Sequence, residues 1–546
     1  MTVNIVRKLI LAILLASTIC SVSYGQVNWK KYSYFQNFAG LNDNKSTTEI
    51  EDNEATNISN VIFDTGGALR KRFGFLSVPT PSVFKISSGT TVCVNGITFL
   101  KRNNGNKYLF AIANDGGTAV AVAKAYSGGP VIGRWDNVTN GNFTHSYTNN
   151  IKPSFTIASD SVIFVLGDNT QPYYCTGAAS SAIISADAQL PSGNIVVYHK
   201  NHLFVANSST WPSRTWFSEL DDVTNWIATD FFDVQISDGS QVRGLISAYD
   251  ALYIFKDKSI WRLGGTNRDD FVLQKMVDGI GTLSHESIKL VNNVIYFITP
   301  QNDVAIYDGG YNVQFISQKI RGTIGGLSFN RAANAIGLAF SSYKYIDYDY
   351  YASVSNSPSS TNNLVLLFDT AYKAWTKFSG INANCWTVGD DSNSQNAMFF
   401  GDYDGYVHQY PSTTYYDGNV ATSAIAATYQ TKWFRYPEVG LADKYWRLLK
   451  TYALSESSGV VLIAECRADY EASGREVLVD LSSSAAQWDV AQWDVDLWGG
   501  QTIIVGRNEI EKGKNMFQLK YSQNDVNQGF TIVGFENFIE DGGRAP

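Results

Sequence analysis

SIKLVNNVIYFITPQNDVAIYDGG, residues Ser287 to Gly310, decides the fold. An apolar piece meets Asn-Asn, a second apolar piece rich in Ile, Tyr and Phe follows, and a third closes on Asp-Gly-Gly. Asn, Asp and Gly tolerate the backbone of tight turns, and β-branched and aromatic residues suit a pleated surface. The stretch therefore predicts consecutive antiparallel strands joined by hairpin turns.

The same pattern runs through much of the chain. TTVCVNGITFLKR, PSFTIASDSVIFVLGD, GNIVVYHKNHLFVANS, VRGLISAYDALYIFKDKSIWRLGG and NAMFFGDYDGYVHQY repeat it with different turn residues. The units recur about every 40 to 50 residues, the period of a propeller blade of four strands. From residue 80 to 425 that predicts a β-propeller of roughly six to eight blades. A stack of β-sandwiches is the alternative arrangement. After residue 425 the texture changes. MFQLKYS and FTIVGFENF alternate clearly, so residues 426–546 read as a C-terminal β-sandwich. The expected fold class is all-β, a β-propeller followed by a C-terminal β-sandwich. Composition agrees: aromatics make up 14% of the 546 residues and charged residues only 17%, too few for a long coiled coil.

The first 25 residues carry Arg7 and Lys8, an apolar run from Leu9 to Ile19, and small residues up to Gly25. That is the form of a secretory signal peptide, and the apolar run is short for a membrane span. Residues 26–79 read as an extended lead-in. Within it FDTGGALRKRFGF, Phe63 to Phe75, predicts a hairpin about Gly66 and Gly67 followed by Arg70, Lys71 and Arg72. The Gly-Gly turn lacks the Lys-Ser/Thr pair and the helix of a phosphate loop, and Gly279-Ile280-Gly281-Thr282 opens no helix either. The three cations are expected to pair with acidic neighbours at a sheet rim or subunit boundary. Net charge is -8 and no basic run exists, which argues against sequence-specific DNA binding. Trp488, Trp493 and Trp498 recur every five residues in AAQWDVAQWDVDLWGG, a spacing of neither strand nor helix. They read as a loop of clustered indoles, packed on its own domain or placed at an interface.

Cys93, Cys175, Cys385 and Cys466 have no metal-ligand spacing and read as buried small residues, with one long-range disulfide open to an exported chain. The five histidines include one close pair, His199 and His202, without an evident third ligand. No G-x-S-x-G elbow is present. Asp221-Asp222, Asp269-Asp270, Asp347 with Asp349, and Asp402 with Asp404 are candidate carboxylate pairs for a glycosidase, but read as turn or strand decoration. No catalytic, cofactor or metal residue is assigned, and the chain is expected not to be an enzyme.

Four segments together resemble a known family. They are FAGLNDNKSTTEIEDNEATNISNVIFDTGGALRKRFGF; ALYIFKDKSIWRLGG with VDGIGTLSHESIKLVNNVIYFITPQNDVAIYDG; LLFDTAYKAWTKFSG; and WFRYPEVGLADKYWRLL with the Trp repeat and GFTIVGFENF. They look like the propeller-containing virion structural proteins of tailed bacteriophages, found at the neck, tail tube or nozzle. The resemblance implies a non-enzymatic virion component without cofactor. It implies a homo-oligomeric ring, other phage neck or tail proteins as partners, non-specific proximity to viral DNA, and no membrane in the mature form. It maps the opening motif onto Gly40, Leu41, Asn57, Asn60, Asp64, Gly66, Gly67, Arg70 and Arg72, and turn positions onto Gly279, Gly281, Asp308 and Gly309. The alternative, supported by the leader and the aromatic surplus, is an exported cellular β-propeller that binds glycans or proteins. A secreted glycosidase is the third reading.

Overall fold

The computed structural model describes residues 29–35, 38–64, 66–78, 92–125, 135–176, 182, 184–185, 191–341, 348–391, 395–418, 422–436, 444–457, 459–481 and 503–541. The expected leader and the three indoles Trp488, Trp493 and Trp498 lie outside these residues. The described chain is all-β: it consists of strands with one helical turn at Arg321–Gly325 and a few 3-10 turns.

The deciding stretch folds as its pattern requires. Lys289–Val291, Val294–Ile298 and Val304–Tyr307 pair antiparallel in succession. Asn292 and Asn293 between the first two strands both take left-handed φ, 46° and 61°. Two positive φ values in a two-residue loop match the right-handed twist of the flanking strands. Three other sheets use the same turn between their first two strands, at Ser159-Asp160, Lys200-Asn201 and Tyr249-Asp250.

Between residues 92 and 410 the strands form successive four-stranded antiparallel groups in chain order. They begin at Val92–Lys101, Ser154–Ala158, Ile195–His199, Val242–Ala248, Lys289–Val291, Ile336–Phe340 and Cys385–Asp390. The opening strand of each contacts that of the next group or the 3-10 turn before it, and the seventh contacts the first, so the series returns to its start. Each neighbouring pair shares a core. Val122 and Phe399 meet between the first and seventh groups, Phe110 and Phe164 between the first and second, and Val165 and Val205 between the second and third. Phe204 and Ile254, Phe255 and Phe297, Tyr296 and Phe368, and Tyr351 and Phe400 continue the series. One face of each sheet is thus buried by its predecessor and the other by its successor.

The lead-in does more than lead in. Leu76–Val78 pairs with Val407–Tyr410 and supplies the fourth strand of the seventh group. Glu54–Ser59 lies between Ala374–Phe378 and Ala427–Thr431, so the sixth group continues through Phe517–Gln523, Val461–Ala468 and Arg475–Asp480 into a ten-stranded sheet. A second sheet runs Ile504–Lys514, Lys444–Ser455, Phe530–Asp541, Leu69–Lys71, Val61–Phe63, with Trp29–Phe35 also on Phe530–Asp541. The two sheets share a core that includes Trp446, Leu449, Tyr429, Tyr521 and Phe535.

Glu465, buried in the ten-stranded sheet, accepts hydrogen bonds from Arg467 (2.8 and 2.9 Å), the Gly474 amide (2.8 Å) and Lys520 (3.2 Å). Burial alone would raise its pKa; these donors outweigh it and hold the carboxyl at about 2. A carboxylate depressed below its unfolded value near 4.3 stabilises fully above that value, and the stabilisation is lost as pH falls toward 2. Acid titration of unfolding should therefore show a loss between about pH 4.5 and 2. Glu465→Gln should flatten that limb, and an unchanged limb would refute the assignment.

Candidate ligand pocket beside Trp211

The sequence-singled residues of the lead-in are used inside the chain. Val61–Phe63 and Leu69–Lys71 form the expected hairpin. The Asp64 carboxylate accepts from the Gly66 and Ala68 amides, both at 2.9 Å, and Gly67 sits at φ 76°, a left-handed value that glycine adopts without strain. Arg70 reaches Glu456 (3.1 Å) and Tyr415 (3.2 Å). Lys71 is buried, bonds to Gln523, and is lowered to about 8 by burial and then by the Arg72 charge. Arg72 is fully buried. Its guanidinium holds both oxygens of Asp417 (2.8 and 2.7 Å), Asn60 Oδ1 (2.9 Å) and the carbonyls of Phe73 and Ser379. Gly40, at φ 80°, lies so close to the Trp375 backbone that a Cβ would sit 2.6 Å from its carbonyl oxygen.

The histidines of the pair are hydrogen-bonded within the chain, and among the described residues no group of three His, Cys, Asp or Glu could hold a metal ion. His202 bonds to the carbonyls of Ser218 and Thr266, and His199 to Ser247. Cys93, Cys175, Cys385 and Cys466 are buried free thiols. The fold does assemble a serine, a histidine and an aspartate that sequence spacing could not show. His408 bridges Ser77 Oγ (3.0 Å) and Asp402 Oδ2 (2.9 Å). All three are largely buried, His408 packs against Phe75 and Phe400, and the other Asp402 oxygen caps the turn through the Asp404 and Tyr406 amides. This trio ties Leu76–Val78 to its sheet.

An open pocket of about 260 Å³ lies at one end of the third group. Thr210 to Arg214 form one wall, and Asp233, Ile236 and Gly239 to Gln241 the other. Its walls are held rigidly. Ser213 Oγ donates to the Ser240 carbonyl (2.6 Å), and the Val242 amide donates to the Pro212 carbonyl (2.9 Å). Lys256, fully buried, ties down the 234–241 loop through the carbonyls of Val234 and Gln235 and through Asp238 (2.7 Å). Burial would raise the Asp238 pKa, but the Lys256 bond and the Ser240 amide pull it below the usual range.

At the rim Trp211 is 47% exposed and Ile236 58%. Arg214 stacks between rings, 4.3 Å from the Trp211 centroid and 3.6 Å from that of Phe231. Asp233 grips it through two bonds of 2.7 and 2.9 Å. An apolar indole face is thus fixed beside a planar array of donors and acceptors. The hydroxyl of Ser240, a nine-tenths-buried residue of the wall, lies beside the Asp238 carboxylate. The sequence reading missed this site; its one signal is Trp211-Pro212 followed by an arginine and Trp216 in TWPSRTW.

No family model matches the chain, and no curated protein matches it. Solved structures do. The WD40 domain of Neurospora crassa Pan2 is 11% identical over 63% of this chain and 96% of its own, with a TM-score of 0.36. YCF48 bound to D1 peptide is 12% identical over 62% and 100%, with a TM-score of 0.36. The exo-β-1,3-galactanase of Phanerochaete chrysosporium is 7% identical over 84% and 100%, with a TM-score of 0.24. These and three further similar structures are none of them bacteriophage proteins.

The expected kinship with tailed-phage virion proteins is overturned. With it fall the neck or tail conduit, the subunit ring, the phage neck and tail partners, the proximity to viral DNA and the virion location. The motif residues explain the misreading. Gly40, Asn60, Asp64, Gly67 and Arg72 meet needs internal to a β scaffold, namely tight turns, close backbone approach and a buried ion pair. Arg70 and Arg72 are ion-paired within the chain and Lys71 is buried, so the three cations offer no basic patch.

Proposed function

We propose that the chain is an exported, non-enzymatic binding protein, a seven-bladed β-propeller joined to a C-terminal β-sandwich, and that the pocket beside Trp211 receives a saccharide. The circular series of four-stranded groups supports the propeller, with Leu76–Val78 closing the last blade onto the first. The two sheets around Trp446 and Tyr521 support the sandwich. The observation that carries the ligand is the half-exposed indole of Trp211 set beside the Arg214–Asp233 pair. A pyranose ring has an apolar face of axial C–H bonds that covers an indole, and an edge of hydroxyls that needs oriented donors and acceptors. Binding without turnover fits the wall, in which Asp233 is the sole carboxylate and Arg214 already holds it. Glycoside hydrolysis uses two opposed carboxyl groups.

A glycan array followed by calorimetry on the full chain tests the reading. The array should give a saccharide ligand, and Trp211→Ala should weaken it at least tenfold, about 1.4 kcal/mol. Melting should stay nearly unchanged, because the side chain is half exposed. An array without a binder, or unchanged affinity in the variant, would end this reading. Intact mass of the secreted protein, reduced by residues 1–25, tests export.

A further inference from the structure

Strands within a sheet alternate in direction, so loops joining second to third strands share one face with loops joining one sheet to the next. The Trp211 pocket is built from two such loops. Three more, at 148–153, 327–335 and 379–384, converge on that same face where the opening strands of the sheets meet.

We infer that this axial mouth binds a small anion with at least two acceptor oxygens, a carboxylate or a phosphate, between Lys152 and Arg331. Neither cation has a carboxylate within ion-pair distance among the described residues. Lys152 Nζ instead donates to the carbonyl oxygen of Asn384 (2.7 Å) and to its side-chain oxygen. Arg331 donates through Nε to Ser355 Oγ (2.8 Å) and through Nη1 to Asn150 Oδ1 (3.1 Å). Its Nη2 is buried and makes no hydrogen bond of normal geometry, although the Tyr403 hydroxyl lies beside the guanidinium. A guanidinium nitrogen left so is costly, and an acceptor oxygen on a bound anion would satisfy it.

Lys152, Arg331 and Lys289 stand near Glu286, which Lys289 already pairs at 3.4 Å, and near Asp402 and Asp404, of which Asp402 is already held by His408 and two turn amides. Burial lowers Lys152 to about 8, outweighing the opposite pull of the neighbouring thiols and Glu286, with a minor further push from the Arg331 charge. The neighbouring imidazole, thiols and phenol add no charge. Burial lowers His285 to about 4 and so keeps it neutral, and it raises the Cys93 and Cys385 thiols and the Tyr403 phenol.

Calorimetry on the full chain at pH 7, with inorganic phosphate and succinate as separate probes, tests the site at ionic strength matched with sodium chloride. One of the two should give saturable binding, and which one does so distinguishes the phosphate source from the carboxylate source. Arg331→Gln should weaken it at least tenfold, while Arg268→Gln, at an exposed cation elsewhere, should not change it. Should Arg331→Gln fail to fold, acetylation of Lys152 in the unaltered protein, read by peptide mass spectrometry, replaces it. The binding probe should slow that acetylation at least threefold. Absence of saturable binding for both probes, equal binding by Arg331→Gln, or unslowed acetylation would each overturn the site.

Discussion

Asp417→Ala will destabilise the folded chain by about 3–5 kcal/mol, the cost of removing one partner from a buried ion pair. The Arg72 side chain is 0% exposed and Asp417 13%. Its remaining acceptors, Asn60 and two carbonyls, carry no charge to replace the carboxylate. The loss should appear as a lower urea midpoint with little change in slope, provided the unfolding transition is single. Asp417→Asn separates the charge from the hydrogen bonds, since it retains one acceptor oxygen and loses the negative charge. Its cost should fall between wild type and alanine. A loss below 1 kcal/mol for Asp417→Ala would mean that Arg72 is solvated or re-paired, and that the junction does not depend on this pair.

Trp375→Ala should cost a similar amount, about 3–5 kcal/mol, through lost burial and the cavity left behind. Trp375 is 1% exposed, its ring centroid lies 4.9 Å from that of Phe368, and Nε1 donates to the Ile316 carbonyl at 2.9 Å. It joins the fifth group, the sixth group and the lead-in at one point, and Gly40 packs against its backbone. Trp375→Phe retains most of the apolar area and leaves one carbonyl without its donor, so it should cost markedly less than alanine. Equal losses for the two variants would place the stabilisation in the hydrogen bond, contrary to the packing account.

Local turn chemistry was legible in the sequence, and long-range pairing was not. Asn292-Asn293 declares a hairpin because asparagine tolerates the left-handed region; Lys200-Asn201 and Tyr249-Asp250 adopt the same turn with less telling residues. The repeat of strand-rich units was visible, yet the number of groups was hidden. The seventh group takes Leu76–Val78 from more than 300 residues upstream of its neighbour Val407–Tyr410, and no local pattern encodes that loan. Likewise nothing near Arg72 names Asp417, and nothing near Ser77 names His408. The Trp211 pocket was invisible because its parts gain meaning only when the 207–213 and 234–241 loops face each other. The family resemblance rested on residues that many β scaffolds require for geometry, which is why their order along the chain suggested a kinship that the comparisons do not bear out.

The position of Glu54–Ser59 between Ala374–Phe378 and Ala427–Thr431 constrains the order of events during synthesis. An early segment of the nascent polypeptide must wait beside the ribosome for partners translated some hundreds of codons later. Such distant pairing slows folding and leaves sheet edges open in the interim. For a polypeptide threaded through a translocon, that delay would keep it in a transport-competent state until both ends have crossed.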